Sequence, residues 1–127
     1  MEKKTINTDK APAAIGPYEQ AILVNGFLFT SGQIALEPGS GKFLQGEIEE
    51  ETELTIKNLQ AILEAAGLSL KSVIKTTVYL ADLNHFARMN AVYEKFFTQS
   101  KPARACVQVA ALPKGAKVEI DAVAVSH

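Results

Sequence analysis

The chain is poor in the residues that usually announce a reactive centre. Its single cysteine, Cys106, excludes an internal disulfide. One thiol and no apolar segment behind the charged opening MEKKTINTDK lead us to expect a reducing, cytoplasmic setting without a secretory leader. There are two histidines, His85 and His127, and neither stands at ligand spacing from the other or from Cys106. No metal site and no cofactor is therefore expected. No run approaches the roughly 18 apolar residues that would cross a bilayer. Charge of one sign is also missing. The 13 basic and 14 acidic residues are spread along the chain and give a formal charge of -1. Without a basic stripe, electrostatic capture of nucleic acid is not indicated. No internal repeat or low-complexity segment is present.

What is there suits one globular domain spanning residues 1–127, of which 47% are hydrophobic. Lys4 to Asn7 reads as a short edge strand. Ala11 to Pro17 is a loop broken by Pro12, Gly16 and Pro17. From Ile22 to Thr30 two apolar runs flank Asn25-Gly26, the pair favoured in a type I′ hairpin. Ser31-Gly32-Gln33 ends the second strand, and Gly32 suggests a close backbone approach. After a polar loop at 37–45, a helix starts near Glu47 to Glu49, with acidic residues at its positive end. Ile56, Leu59, Ile62, Leu63 and Ala66 form its apolar stripe, and Gly67 ends it.

Val73 to Leu80 reads as a strand. Asp82 or Asn84 can cap a second helix striped by Phe86, Met89, Tyr93, Phe96 and Phe97. Ala103 to Ala110 and Lys117 to Val125 are two further strands with a break at 112–116. The order βββαβαββ implies an α+β fold, one mixed sheet with both helices on one face. The second face carries Val123, Val125, Val73 and Tyr79, on the side away from Ile74, Val78 and Leu80. A soluble protein rarely exposes so much apolar surface. We therefore expect an oligomer that buries this face, of closed symmetry but with a subunit number that patterning does not set.

Period-two alternation puts Arg104, Cys106 and Gln108 on one strand face. If the last two strands sit together, an arginine, a thiol and a carboxylate can converge. Arg104 can grip a carboxylate with two parallel hydrogen bonds, or serve as a surface arginine paired with a nearby acid. Cys106 reads as a small buried group, since no histidine is nominated as its base. Glu119, between Val118 and Ile120, is either solvated at a strand end or held in a cleft, where its pKa would rise and suit acid/base work. Tyr18 sits at a loop edge as a packing group. Ser31 has no visible base and suits a hydrogen-bond donor. Asn90 borders the second apolar stripe, as a surface amide or a contact between subunits. Lys114-Gly115 is most simply a turn.

The segment PARACVQVAALPKGAKVEID at 102–121 resembles the signature of the Rid proteins, also called YjgF proteins, and most of all their RidA subgroup of enamine/imine deaminases. The resemblance extends to APAAIGPY at 11–18, SGQI at 31–34, NLQAILEAAG at 58–67 and the run at 82–97, in the expected order and over nearly the whole chain. It implies a chorismate-mutase-like α+β fold and a homotrimer with sites between subunits. It implies hydrolysis of 2-enamino and 2-imino acids, such as 2-aminoacrylate through 2-iminopropanoate, to 2-oxo acids (here pyruvate) and ammonia, without metal or cofactor. It further implies that Arg104 holds the substrate carboxylate, helped by the Cys106 backbone N–H. Glu119 would position or activate water, with Tyr18 at the mouth of the site, Ser31 in the pocket and Asn90 at the subunit contact. Ala111 and Ala105 depart from residues common in the subgroup, at positions outside the implied site. The rival is a non-catalytic small-carboxylate-binding or regulatory protein of the same fold, against which Arg104 together with Glu119 speaks. A ribonuclease or translation-inhibitor role, also attached to the family, is disfavoured by the near-neutral charge and the lack of a His/Lys catalytic pair.

Overall fold

A computed structural model describes residues 2–126. His127, read above as an isolated histidine, lies outside the described residues. Six strands form one sheet: β1 (Lys3–Ile6), β2 (Ala21–Val24), β3 (Phe27–Thr30), β4 (Val73–Leu80), β5 (Ala103–Gln108) and β6 (Val118–Val125). Two helices, α1 (Ile48–Ala65) and α2 (Phe86–Phe97), fall between β3 and β4 and between β4 and β5. The element order is the expected one. The spatial order is β1-β2-β3-β6-β4-β5, antiparallel except for the β4–β5 pair.

Local chemistry explains most of the elements. Asn25 (φ 52°) and Gly26 (φ 82°) both take left-handed backbone, as a type I′ turn requires, and set Val24 against Phe27. Glu47 caps α1 in a reciprocal capping box with Glu50. Gly67 (φ 77°) supplies the left-handed residue just past its end. Asp82 caps the 3-10 turn Leu83–His85, accepting from the Asn84 N–H at 2.9 Å, and α2 follows directly. The stripes face inward: Ile56, Leu59, Ile62 and Leu63 of α1 and Met89 of α2 are fully buried against Leu28, Val78, Val118 and Ile120 of the sheet. Not every acid at the start of α1 serves the helix dipole. Glu51 is fully buried and accepts from the Lys117 N–H at 2.9 Å, with Lys117 Nζ 3.3 Å away. A helix carboxylate thereby ties down the entry to β6.

Two expectations need correction. The strands around 102–121 are not neighbours, because β4 lies between β5 and β6. Parallel β5 is an edge strand and β6 is central, which a local sequence reading cannot distinguish. Alternation in β4 also breaks. The register slips between Val73 and Lys75, a bulge that leaves Ile74 as the extra residue. Val73 therefore joins Thr76, Val78 and Leu80 on the buried side, whereas Ile74 is exposed. Tyr79 keeps its expected face.

Both helices cover one face of the sheet. On the other, Phe27, Phe29, Ile74 and Val107 are each more than 40% exposed, beside half-buried Val123 and Val125. Leu28, between the two phenylalanines, is fully buried. The face without helices therefore also carries an apolar patch. No described helix is long and apolar enough to cross a membrane.

Candidate active site

The candidate residues fall into two groups on opposite faces of the sheet. In the β4–β5 pair, Arg104 lies beside Thr76 and Cys106 beside Val78, on the face covered by the helices. In the β4–β6 pair, Glu119 lies beside Tyr79 and Asp121 beside Thr77, on the open face. Alternation cannot carry Arg104 and Glu119 to one side, so they do not converge within one chain.

The Glu119 group gathers where the segment after β3 runs along β6. Gln33 and Ile120 exchange backbone hydrogen bonds of 2.9 and 3.0 Å, which bring Gly32 against the Glu119 side chain. A β-carbon added at Gly32 would stand 2.1 Å from Glu119 Oε2, so the close approach expected at this glycine is real. Glu119, Tyr18, Ser31 and Lys114 line a cleft of about 470 Å³. Lys114 holds left-handed backbone (φ 58°) in the turn before β6. Burial, and to a lesser degree the Asp121 charge, push the Glu119 carboxyl above its ordinary value. Asp121 in turn accepts from the Tyr79 hydroxyl at 3.0 Å. The Ser31 hydroxyl donates to the Glu19 carbonyl, which leaves its oxygen lone pairs as acceptors.

Tyr18 is half exposed on a loop whose shape is set by a residue the sequence reading passed over. Gln20 is 2% exposed. It accepts from the Thr8 N–H (2.7 Å) and donates to the carbonyls of Thr8 (3.0 Å) and Pro12 (2.8 Å). A polar residue leading into an apolar strand was its only signal. Asn58 does similar work from α1, donating to the carbonyls of Ile34 and Leu36.

The Arg104 group is built by α2 and β5. Arg104 is exposed, and its guanidinium carbon sits 4.8 Å from the Tyr93 ring centre and 5.3 Å from that of Phe86. One terminal nitrogen donates to Asn90 Oδ1 at 2.7 Å. Asn90, Tyr93, Lys101 and Arg104 border a second cleft of about 500 Å³. Cys106 is half-buried at the core margin. Burial pushes its thiol up, only partly offset by the Arg104 charge, so the thiolate is disfavoured. The Val109 N–H donates to the Leu80 carbonyl. Because N–H groups alternate sides along a strand, that of Cys106 belongs to the row on the open edge, free to meet an anion. Among the described residues, no group of three or more His, Cys, Asp and Glu side chains could hold a metal ion.

The arrangement can grip a carboxylate at one place and handle protons at another. Residues 8–126 match the family described as endoribonuclease L-PSP. The chain is 52% identical over 123 residues to the 2-iminobutanoate/2-iminopropanoate deaminase of Mus musculus, covering 97% of this chain and 91% of the mouse protein. Among solved structures, RidA from the Antarctic bacterium Psychrobacter sp. PAMC 21119 superposes with a TM-score of 0.92 at 45% identity, over 97% of this chain and 99% of that one. E. coli TdcF, solved with bound serine, gives 0.92 at 46% identity, over 98% and 99%. Near-complete coverage at this identity, on the same two-helix mixed sheet, means that the chain belongs to the Rid/YjgF family, in its RidA subgroup.

Proposed function

We propose that the protein is a 2-imino acid deaminase that works as a homotrimer of one-domain subunits, with each site assembled between two of them. The observation that carries the assembly is the placement of Arg104 and Glu119 on opposite faces of the sheet. A site using both needs a second copy, and the uncovered apolar face around Phe27 and Phe29 offers the surface on which copies can meet. The mouse relative's name supports the reaction, and the serine bound to E. coli TdcF supports a small amino- or imino-acid ligand.

The chemistry follows from the groups. Arg104 and the Cys106 N–H fix the substrate carboxylate and aim its imine carbon at a water held by Glu119. As water adds to the carbon of the protonated imine, Glu119 in its ionised form takes a proton from the water, and the C=N electron pair moves to nitrogen, giving a neutral tetrahedral amino alcohol. Protonated Glu119 then gives that proton to nitrogen. The hydroxyl oxygen forms the C=O bond as the C–N bond breaks, and the departing ammonia carries off the hydroxyl proton as ammonium, leaving the 2-oxo acid and ionised Glu119. A carboxyl held above its ordinary value is a stronger base than a free one, which suits the proton-accepting step. Tyr18 closes the mouth, and Ser31 offers its lone pairs to the substrate nitrogen. The imine carbon is already electrophilic, so positioning and proton transfer are what the site must provide.

The test is the decay of 2-iminopropanoate generated in situ by an amino-acid oxidase, measured with wild type and Arg104→Ala of equal oligomeric state. Acceleration by wild type alone supports the reading. A wild-type rate equal to the spontaneous one, across several side chains, overturns it.

A further inference from the structure

Arg104 projects from an edge strand, where a long flexible side chain would normally sample many rotamers. Here it does not stand free. Tyr93 and Phe86, on one face of α2, both lie within cation–π range of the guanidinium. Asn90, between them in sequence, takes one N–H at 2.7 Å. Among the described residues this is the single hydrogen bond to the guanidinium, so its remaining donor edge is open to a ligand. Tyr93 is itself held. It is 6% exposed, and its hydroxyl shares a buried 2.7 Å hydrogen bond with Thr76, the β4 residue paired with Arg104. Thr76 has no exposed surface. The Tyr93 ring also packs against Phe97, with centroids 4.4 Å apart. One strand position thus fixes the ring that in turn fixes its neighbour's guanidinium.

We propose that Tyr93, with Phe86 beside it, is a positioning residue for Arg104, orienting the open edge of the guanidinium toward the substrate carboxylate. This rests on Arg104 being the carboxylate clamp. Tyr93 touches no reacting atom; it lowers the entropy the clamp loses when substrate binds, by holding Arg104 near its bound geometry.

The test uses the full chain in its assembled state and 2-oxobutanoate, a short unreactive 2-oxo acid, as the calorimetric probe. Tyr93→Leu removes the ring face and Tyr93→Phe restores it without the hydroxyl. The leucine variant is expected to weaken 2-oxobutanoate binding about 2- to 30-fold and to raise KM for the imino acid by a similar factor with kcat little changed. The phenylalanine variant recovers most of the affinity. A merely structural role would lower the folded fraction, which titration stoichiometry reads, without changing Kd. A folded Tyr93→Leu that binds the probe as wild type does overturns the proposal. If that variant does not fold, Phe86→Leu carries the same test, since its ring is only half-buried. Wild-type affinity in Arg104→Ala would instead overturn the clamp itself.

Discussion

Arg104 and Glu119 are carried on opposite faces of the same sheet, with β4 between their strands. Each has its own cleft and its own supporting residues: the α2 rings and Asn90 for Arg104, the Gly32 backbone and Asp121 for Glu119. Under the proposed function, their separation within one chain ties activity to assembly.

Arg104→Lys is expected to lose most of the activity despite keeping the charge. An ammonium cannot present the two parallel donors of a guanidinium, nor stack as a plane on Tyr93. Truncation to alanine should cost about 2–5 kcal/mol in kcat/KM, by analogy with truncated buried charge pairs. Steady-state kinetics on 2-iminopropanoate check both, and an Arg104→Lys enzyme equal to wild type would refute the fork geometry.

Gly32→Ala should abolish turnover while leaving the fold in place. The new β-carbon would lie 2.1 Å from Glu119 Oε2 and 2.9 Å from Cδ, so the carboxylate must swing away. The clash is with a side-chain end rather than with backbone, and thermal unfolding should shift little. Retained activity would show that Glu119 need not occupy this position.

Glu119→Gln should be inactive and, at neutral pH, more stable than wild type. The folded carboxyl has a raised pKa, so the protein is penalised when it ionises. That penalty is absent below the ordinary carboxyl value, develops as pH rises, and is complete above the folded value. The stability advantage of the variant should therefore vanish in acid, as thermal melts across pH would show. In Asp121→Asn the neighbouring charge is gone, and the Glu119 limb of the kcat/KM profile should move to lower pH. Tyr79 opposite, with Tyr18 and Lys114 in the cleft, are the other titratable groups facing Glu119, and the substitution leaves them in place.

Cys106→Ser should keep most of the activity. The thiol is half-buried, with its ionisation pushed up, and the group proposed to meet substrate is its backbone N–H. Slow alkylation by iodoacetamide at neutral pH would agree. Loss of all turnover would restore the sulfur to the mechanism.

Phe29→Glu should dissociate the assembly and remove activity together. Phe29 is 46% exposed on the uncovered face, flanked by Phe27 at 6.4 Å between ring centres. A charge there cannot be buried without a partner. Light scattering gives the mass and the imine assay the activity; an active monomer would contradict a site shared between subunits.

The sequence by itself determined the elements, because their causes are local. Asn25-Gly26 specifies its turn, Glu47 and Gly67 bound α1, and the stripes of Ile56, Leu59, Leu63 and Met89 mark the faces to be buried. It also nominated Arg104, Glu119, Tyr18 and Gly32. What it could not determine is which strands touch, since pairing depends on residues far apart in the chain. The insertion of β4 between β5 and β6 decided that Arg104 and Glu119 face opposite ways. A one-residue bulge at Ile74 reversed the alternation at the start of β4. Buried Gln20, Glu51 and Asn58 look like surface residues until their partners arrive, 8 to 12, 66 and 22 to 24 positions away. Local periodicity carries no record of such distant hydrogen bonds, and only the tertiary structure supplies them.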